Sequence, residues 1–81
     1  MPENSSNARE ESLTQRIHAV YGALPKGESR VADLLLQHPS DLVAYTATEM
    51  ARRSDVSNAT VSRFIRRLGF ASYDDARQLS R

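Results

Sequence analysis

Two helix-start signals stand eleven residues apart in this chain, at Thr46 and Ser57, and between them they leave little freedom for the fold. Thr46 and Glu49 make a T-x-x-E capping box, in which the hydroxyl takes a free backbone N–H and the carboxylate reaches back to the cap's own N–H. Ser57 is preceded by Val56 and followed by Val61 four positions later, the spacing of a hydrophobic staple that fixes the direction in which the chain enters a helix. Only a helix of about two turns fits between these starts, with Ala47, Met50 and Ala51 as its apolar positions and Ser54-Asp55-Val56 as the turn that follows. A short helix, a tight turn and a longer helix set at an angle describe a helix-turn-helix, and the second helix of such a pair can lie in a DNA major groove.

The rest of the chain supplies helices to support the pair. Leu13, Ile17, Val20, Tyr21 and Leu24 fall on one helical stripe, with Ser12 and Gln15 placed to form its capping box and Pro25 and Gly27 to end it. Val31, Leu34 and Leu35, with Ala32 and Leu36 beside them, predict a second helix that stops at His38, because a proline at 39 disfavours helical geometry in the residue before it. The run Leu42-Val43-Ala44-Tyr45 is expected as an irregular turn that tucks Leu42 and Tyr45 against the core. Gly69 supplies a left-handed position to end the helix from Ser57, and Phe70 is spaced to meet Ile65 in a Schellman closure. Ser72 caps a last helix with Tyr73, Ala76 and Leu79 on its buried side. Residues 1–11, with Pro2, Asn4, Ser5, Ser6, Asn7 and three glutamates, are expected to form a flexible arm, leaving 12–81 as the domain. Strand alternation and repeats are absent from the sequence, so the expected class is all-α: a compact bundle of about five short helices.

Composition narrows the chemistry. With 81 residues the chain can hide only about 60% of its unfolded surface, which leaves little room for a deep substrate pocket, and an enzyme is not expected. The lack of cysteine excludes disulfides, thiolate metal sites and thiol nucleophiles. The sequence contains neither an apolar stretch of membrane-spanning length nor a signal peptide, so no membrane association is expected and the cytoplasm is the expected compartment. His18 and His38 fall on different helices without a ligand or carboxylate partner at helical spacing, so neither a metal, a cofactor nor a catalytic dyad is expected; His38 suits a helix end. Asp74 and Asp75 are accounted for by the first turn of a helix, where negative charge is favoured, and Tyr21, Tyr45 and Tyr73 are expected at the edge of the core.

Charge distribution points to a partner. The net charge is only +1, yet Arg52, Arg53, Arg63, Arg66 and Arg67 face a single acidic residue, Asp55, within their segment. On a helix from Ser57, Val61, Phe64, Ile65 and Leu68 occupy an arc of about 100°, while Ala59, Ser62, Arg63 and Arg66 point the other way, flanked by Thr60 and Arg67. A merely solvated face would mix acids with bases, since a face of one sign repels itself. Small polar groups and arginines with no acid suit nucleic acid. Position then assigns roles: Asn58, Ala59, Ser62 and Arg63 to base readout, Arg63 matching guanine bidentately and Ala59 offering a surface to a thymine methyl. Thr46, Thr48, Ser57 and Thr60 lie near helix starts that can hold phosphates, and Arg66 and Arg67 lie further along, where the DNA backbone passes. Pure capping is at least as good an account of Thr46 and Ser57, and Arg52 and Arg53 divide evenly between phosphate contacts and pairing with Asp55.

The chain resembles the amino-terminal domain of the RpiR (ribose phosphate isomerase regulator) family of bacterial transcription regulators. The resemblance is carried by L-P-K-G-E-S-R-V-A-D-L-L-L-Q-H-P at 24–39, T-A-T-E-M-A-R-R-S-D-V-S at 46–57 and N-A-T-V-S-R-F-I-R-R-L-G-F at 58–70. It implies a repressor-like domain that binds a double-stranded DNA operator, and a phosphosugar effector sensed only through a carboxy-terminal sugar-isomerase-like (SIS) domain, for which this sequence has no room. Asp55 departs from the glycine usual in such turns; aspartate tolerates the left-handed conformation better than most residues. Reading two half-sites calls for a homodimer, and the stripe Leu13, Ile17, Val20 and Tyr21 is the expected dimer surface. The competing reading is a helical protein-interaction module that docks an acidic partner. Preference for one duplex sequence separates the two.

Overall fold

The computed structural model describes residues 5–80; Met1 to Asn4, the start of the expected arm, and Arg81 lie outside the described residues. Six α-helices follow one another: α1 Ser5–Val20, α2 Lys26–Gln37, α3 Asp41–Ala44, α4 Ala47–Ser54, α5 Asn58–Arg67 and α6 Tyr73–Ser80, with a 3-10 turn at Tyr21–Ala23 after α1. The described residues contain no strand. The all-α class stands, with one helix more than expected. None of the helices described is long and apolar enough to cross a membrane.

The extra helix is the single turn α3, where an irregular turn was expected. Its carbonyls would be left open at so short a helix, and α6 answers them. The Tyr73 hydroxyl donates to the Tyr45 carbonyl at 2.7 Å and lies 3.3 Å from that of Leu42, and Arg77 Nη2 donates to the Val43 carbonyl at 2.9 Å. Leu42 is fully buried, as expected, and Tyr45 packs half-buried against the core.

The amino-terminal helix also departs from expectation. It is already running at Ser5, inside the stretch expected to be a flexible arm, so Ser12 is not its cap. Ala8, Arg9, Glu10 and Glu11 are strong helix formers, and they carry the helix upstream through the capping signal. Gly27 does not end this helix either. It sits in the first turn of α2, and a Cβ built there would lie 3.3 Å from the Thr60 methyl, so its lack of a side chain lets α2 approach α5.

Twelve residues of six helices, with Leu68 just beyond α5, form the core at 4% exposure or less: Leu13, Ile17, Val31, Ala32, Leu35, Leu42, Met50, Ala51, Val61, Phe64, Ile65 and Ala76. Leu13 and Ile17 are therefore occupied by the domain's own interior and are lost to the expected dimer surface. Tyr21 is not a core-edge residue: it is 38% exposed, and its hydroxyl donates to Asp33 at 2.7 Å. Helix α5 lies against α2 and α4. Its far end closes as the sequence indicates: Gly69 has φ 100°, and the Phe70 N–H donates to the Ile65 carbonyl at 3.2 Å. Arg16 of α1 reaches the same place, donating to the Leu68 carbonyl at 2.9 Å and stacking 4.7 Å from the centre of the Phe70 ring.

Asp55 occupies the left-handed region, with φ 59° and ψ 46°, while the Val56 N–H donates to the Ala51 carbonyl at 3.0 Å. Its carboxylate, 97% exposed, lies 3.7 Å from Arg30 Nη1, a pairing of little worth in water. Asp55→Gly should raise the unfolding free energy by about 0.3–0.5 kcal/mol, relief of positive φ outweighing the extra freedom of the unfolded chain. Urea denaturation checks this, and a lower midpoint would show that the conformation carries no strain. Burial, the largest influence, pushes the Tyr73 phenol up to about 12 from the usual 10.0. The folded chain thus holds that proton more tightly than the unfolded one, so the stabilisation is whole below pH 10 and is lost as pH rises through about 12. Urea midpoints measured across this window should fall for the native chain and fall less for Tyr73→Phe.

Candidate nucleic-acid interface

The two caps fix the local geometry. The Glu49 N–H donates to Thr46 Oγ1 at 3.1 Å and the Thr46 N–H to Glu49 Oε1 at 2.9 Å, completing the capping box of α4. At the start of α5 the Thr60 N–H donates to Ser57 Oγ at 3.1 Å, and the two hydroxyls lie 3.0 Å apart. Val56 packs partly buried against the core to which Val61 belongs. Helix α5 then buries Val61, Phe64 and Ile65 and turns Asn58, Ala59, Ser62, Arg63, Arg66 and Arg67 outward, all exposed. Nothing acidic interrupts this face.

Not every residue expected on the interface is equally free. Asn58 Nδ2 donates to Thr48 Oγ1 at 3.0 Å, so these two exposed residues tie the start of α5 to the first turn of α4. Thr46 and Ser57 act as caps. Thr60 is half-buried on the flank toward α2, with its methyl against Gly27 and its hydroxyl shared between Ser57 and Arg63. Arg63 Nη2 donates to Thr60 Oγ1 at 3.3 Å, and the Arg66 side chain makes no ion pair or hydrogen bond with the described residues. Arg52 and Arg53 do not pair with Asp55, whose ionic partner is Arg30; Arg53 instead stacks 4.4 Å from the centre of the Tyr45 ring.

Arg67 differs most from its expected place. Its Nε donates to Glu28 Oε1 at 2.6 Å and its Nη2 to Oε2 at 3.1 Å, a two-pronged pair with a carboxylate only 2% exposed. These bonds, and then the negative charge itself, push the Arg67 guanidinium above its ordinary value. Arg63 approaches the same carboxylate, its Nε 4.0 Å from Oε2. Glu28 lies outside the arginine-rich segment, so the charge distribution along the sequence does not reveal it as the partner of this face. The signal for it was present: Glu28 precedes Val31, Ala32 and Leu35 at three, four and seven positions, on the stripe that α2 buries. A glutamate on such a stripe needs a cation beside it, and the arginine-rich helix is the element that can provide one.

The helix-turn-helix domain of the rpiR family matches residues 11–79 of this chain. Over 72 residues the chain is 39% identical to the bifunctional protein glk of Burkholderia orbicola, an overlap of 89% of this chain and 11% of that protein. It is 31% identical over 64 residues to the HTH-type transcriptional regulator HexR of Pseudomonas aeruginosa, or 79% of this chain and 22% of the regulator. An uncharacterized HTH-type transcriptional regulator of Haemophilus influenzae is 29% identical over 68 residues, covering 84% of this chain and 24% of its own length. The chain therefore spans between 11% and 24% of the length of these relatives.

Removing one member of a buried ion pair costs more when the member left behind is the buried one. Arg67→Ala strands the carboxylate of Glu28 and should lower the unfolding free energy measurably. Glu28→Gln leaves only the part-exposed guanidinium and should cost clearly less. Equal losses in urea denaturation would mean that the pair contributes through packing alone.

Proposed function

This chain belongs to the rpiR family of helix-turn-helix domains, the DNA-binding part of bacterial transcription regulators, and on that footing we propose that α5 is its reading helix. The observation that carries the reading is the outer face of α5: Ala59, Ser62, Arg63 and Arg66 exposed together, with no acidic residue within the helix, on a helix whose other side is locked in the core. Laid in a major groove, the amino-terminal half of α5 presents Asn58, Ala59, Ser62 and Arg63 to base edges. Arg63 offers a fork to the O6 and N7 of a guanine, and Ala59 a methyl to a thymine. Thr48 supports Asn58 from α4, while Thr46 and Ser57, as caps, and Thr60 stand beside backbone N–H groups at helix starts, where phosphates are held. Arg66, exposed and further along the helix, neutralises a phosphate; Arg67 has most of its fork committed to Glu28.

The domain acts by binding an operator in the cytoplasm and performs no chemistry of its own. In the whole protein, two copies related by a two-fold axis would set two such helices one turn of DNA apart, the arrangement by which this motif represses at a palindrome. The family resemblance extends the proposal to carbohydrate metabolism, with a phosphosugar sensed by an SIS domain of the complete regulator.

A duplex enriched by the chain from a random-sequence pool provides the test. Arg63→Ala should cost about 1–3 kcal/mol on that duplex and narrow its advantage over unselected DNA. Arg66→Ala should weaken both duplexes alike and reduce the salt slope by about one, since one fewer phosphate is neutralised. If both variants lose affinity for the two DNAs in the same proportion, Arg63 does not read sequence.

A further inference from the structure

Glu28 lies between two arginines of α5, and only one of them is on the base-reading face. Arg67 engages both carboxylate oxygens, at 2.6 and 3.1 Å, and keeps a side-chain exposure of 38%. Arg63, one helical turn earlier, stops 4.0 Å short of Oε2 and keeps 58% of its side chain in solvent. A carboxylate buried to 2% cannot be left without a cation, and a planar fork that spans both oxygens satisfies it better than a single approach from the side. Arg67 fills this need, and Arg63 is left outside hydrogen-bond distance. The distance that separates Arg63 from capture is small: its Nε already stands 4.0 Å from Oε2, beyond a hydrogen bond but close enough for charge attraction.

We propose that Arg67 determines DNA sequence specificity indirectly, by occupying Glu28 so that Arg63 remains available to a base. The inference rests on the assignment of Arg63 to base readout. Arg67 is on this account a positioning residue, and Glu28 is the competitor it holds off. Without Arg67, the buried carboxylate draws Arg63 inward as its replacement counter-ion, and the guanine-reading fork is withdrawn from the groove. A phosphate contact by Arg67 would behave differently: its loss would weaken every duplex by the same factor. The combination with Glu28→Gln tells these apart, because removing the negative charge removes the reason for Arg63 to move.

The measurement is the ratio of dissociation constants for the unselected random pool and for the duplex that the native 81-residue chain enriches from it. Arg63→Ala should shrink this ratio by about tenfold, the size of one lost bidentate base contact. Arg67→Ala should shrink it by a similar factor although Arg63 is intact. The double variant Glu28→Gln with Arg67→Ala should recover most of the ratio, and Glu28→Gln alone should leave it undiminished. Where Arg67→Ala does not fold, as judged by circular dichroism, Arg67→Lys takes its place: an ammonium cannot span both oxygens, so a smaller narrowing is expected, again reversed by Glu28→Gln. An unchanged ratio in Arg67→Ala, or in Arg67→Lys where that variant replaces it, overturns the inference while Arg63 readout survives. So does a narrowed ratio that Glu28→Gln fails to restore. An Arg63→Ala chain with an unchanged ratio, or a pool from which no duplex is enriched, overturns the readout assignment and this inference with it.

Discussion

A helix of ten residues does not persist alone in water, so α5 exists because one of its sides is buried. Val61, Phe64 and Ile65, with Leu68 after them, are the anchor, and each neighbouring element closes off another direction of movement. Helix α4 meets it across the turn, α2 lies against it at Gly27 and Glu28, and Arg16 of α1 fastens its last carbonyl. The outer side is therefore free to carry residues that would be poor choices for stability, including arginines of which only Arg67 is bound at both oxygens of an acid.

Local signals were the legible part of the sequence. The caps at Thr46, Ser57 and Ser72, the stop at His38, the left-handed positions at Asp55 and Gly69 and the buried side of α5 all depend on residues within a few positions of each other. The sequence order displays them directly. What the sequence hid depends on distant pairs. The helical turn of α3 is completed by Tyr73 and Arg77, thirty or so residues later, and periodicity over four residues cannot reveal that. The start of α1 lies upstream of the capping signal at Ser12 because four helix-forming residues precede it. The stripe of α1 is apolar in sequence, but nothing local states that α6 and α2, rather than a partner molecule, cover Leu13 and Ile17.

The candidate site divides in the same way. Which residues face outward on α5 follows from 100° per residue and needed no structure. Which arginines are free to act did not, because Arg67 looks like Arg66 until Glu28 is placed beside it. A basic face counted by its charges has three arginines on α5; counted by their commitments, it has one whose side chain finds no partner among the described residues, one lightly held and one bound at both oxygens of a carboxylate.

The glycine at 27 sets the scale of that arrangement. A methyl group added there, one residue before Glu28, would press at 3.3 Å on Thr60, three residues before Arg63. An alanine at this position would change no charge and remove no hydrogen bond. It would ask the Thr60 side chain, or α2 itself, to give by a few tenths of an ångström, at the contact beside which the spacings of 2.6 and 4.0 Å rank the two arginines. The chemistry of the outer face is thus calibrated from within, by a place where the chain has left a side chain out.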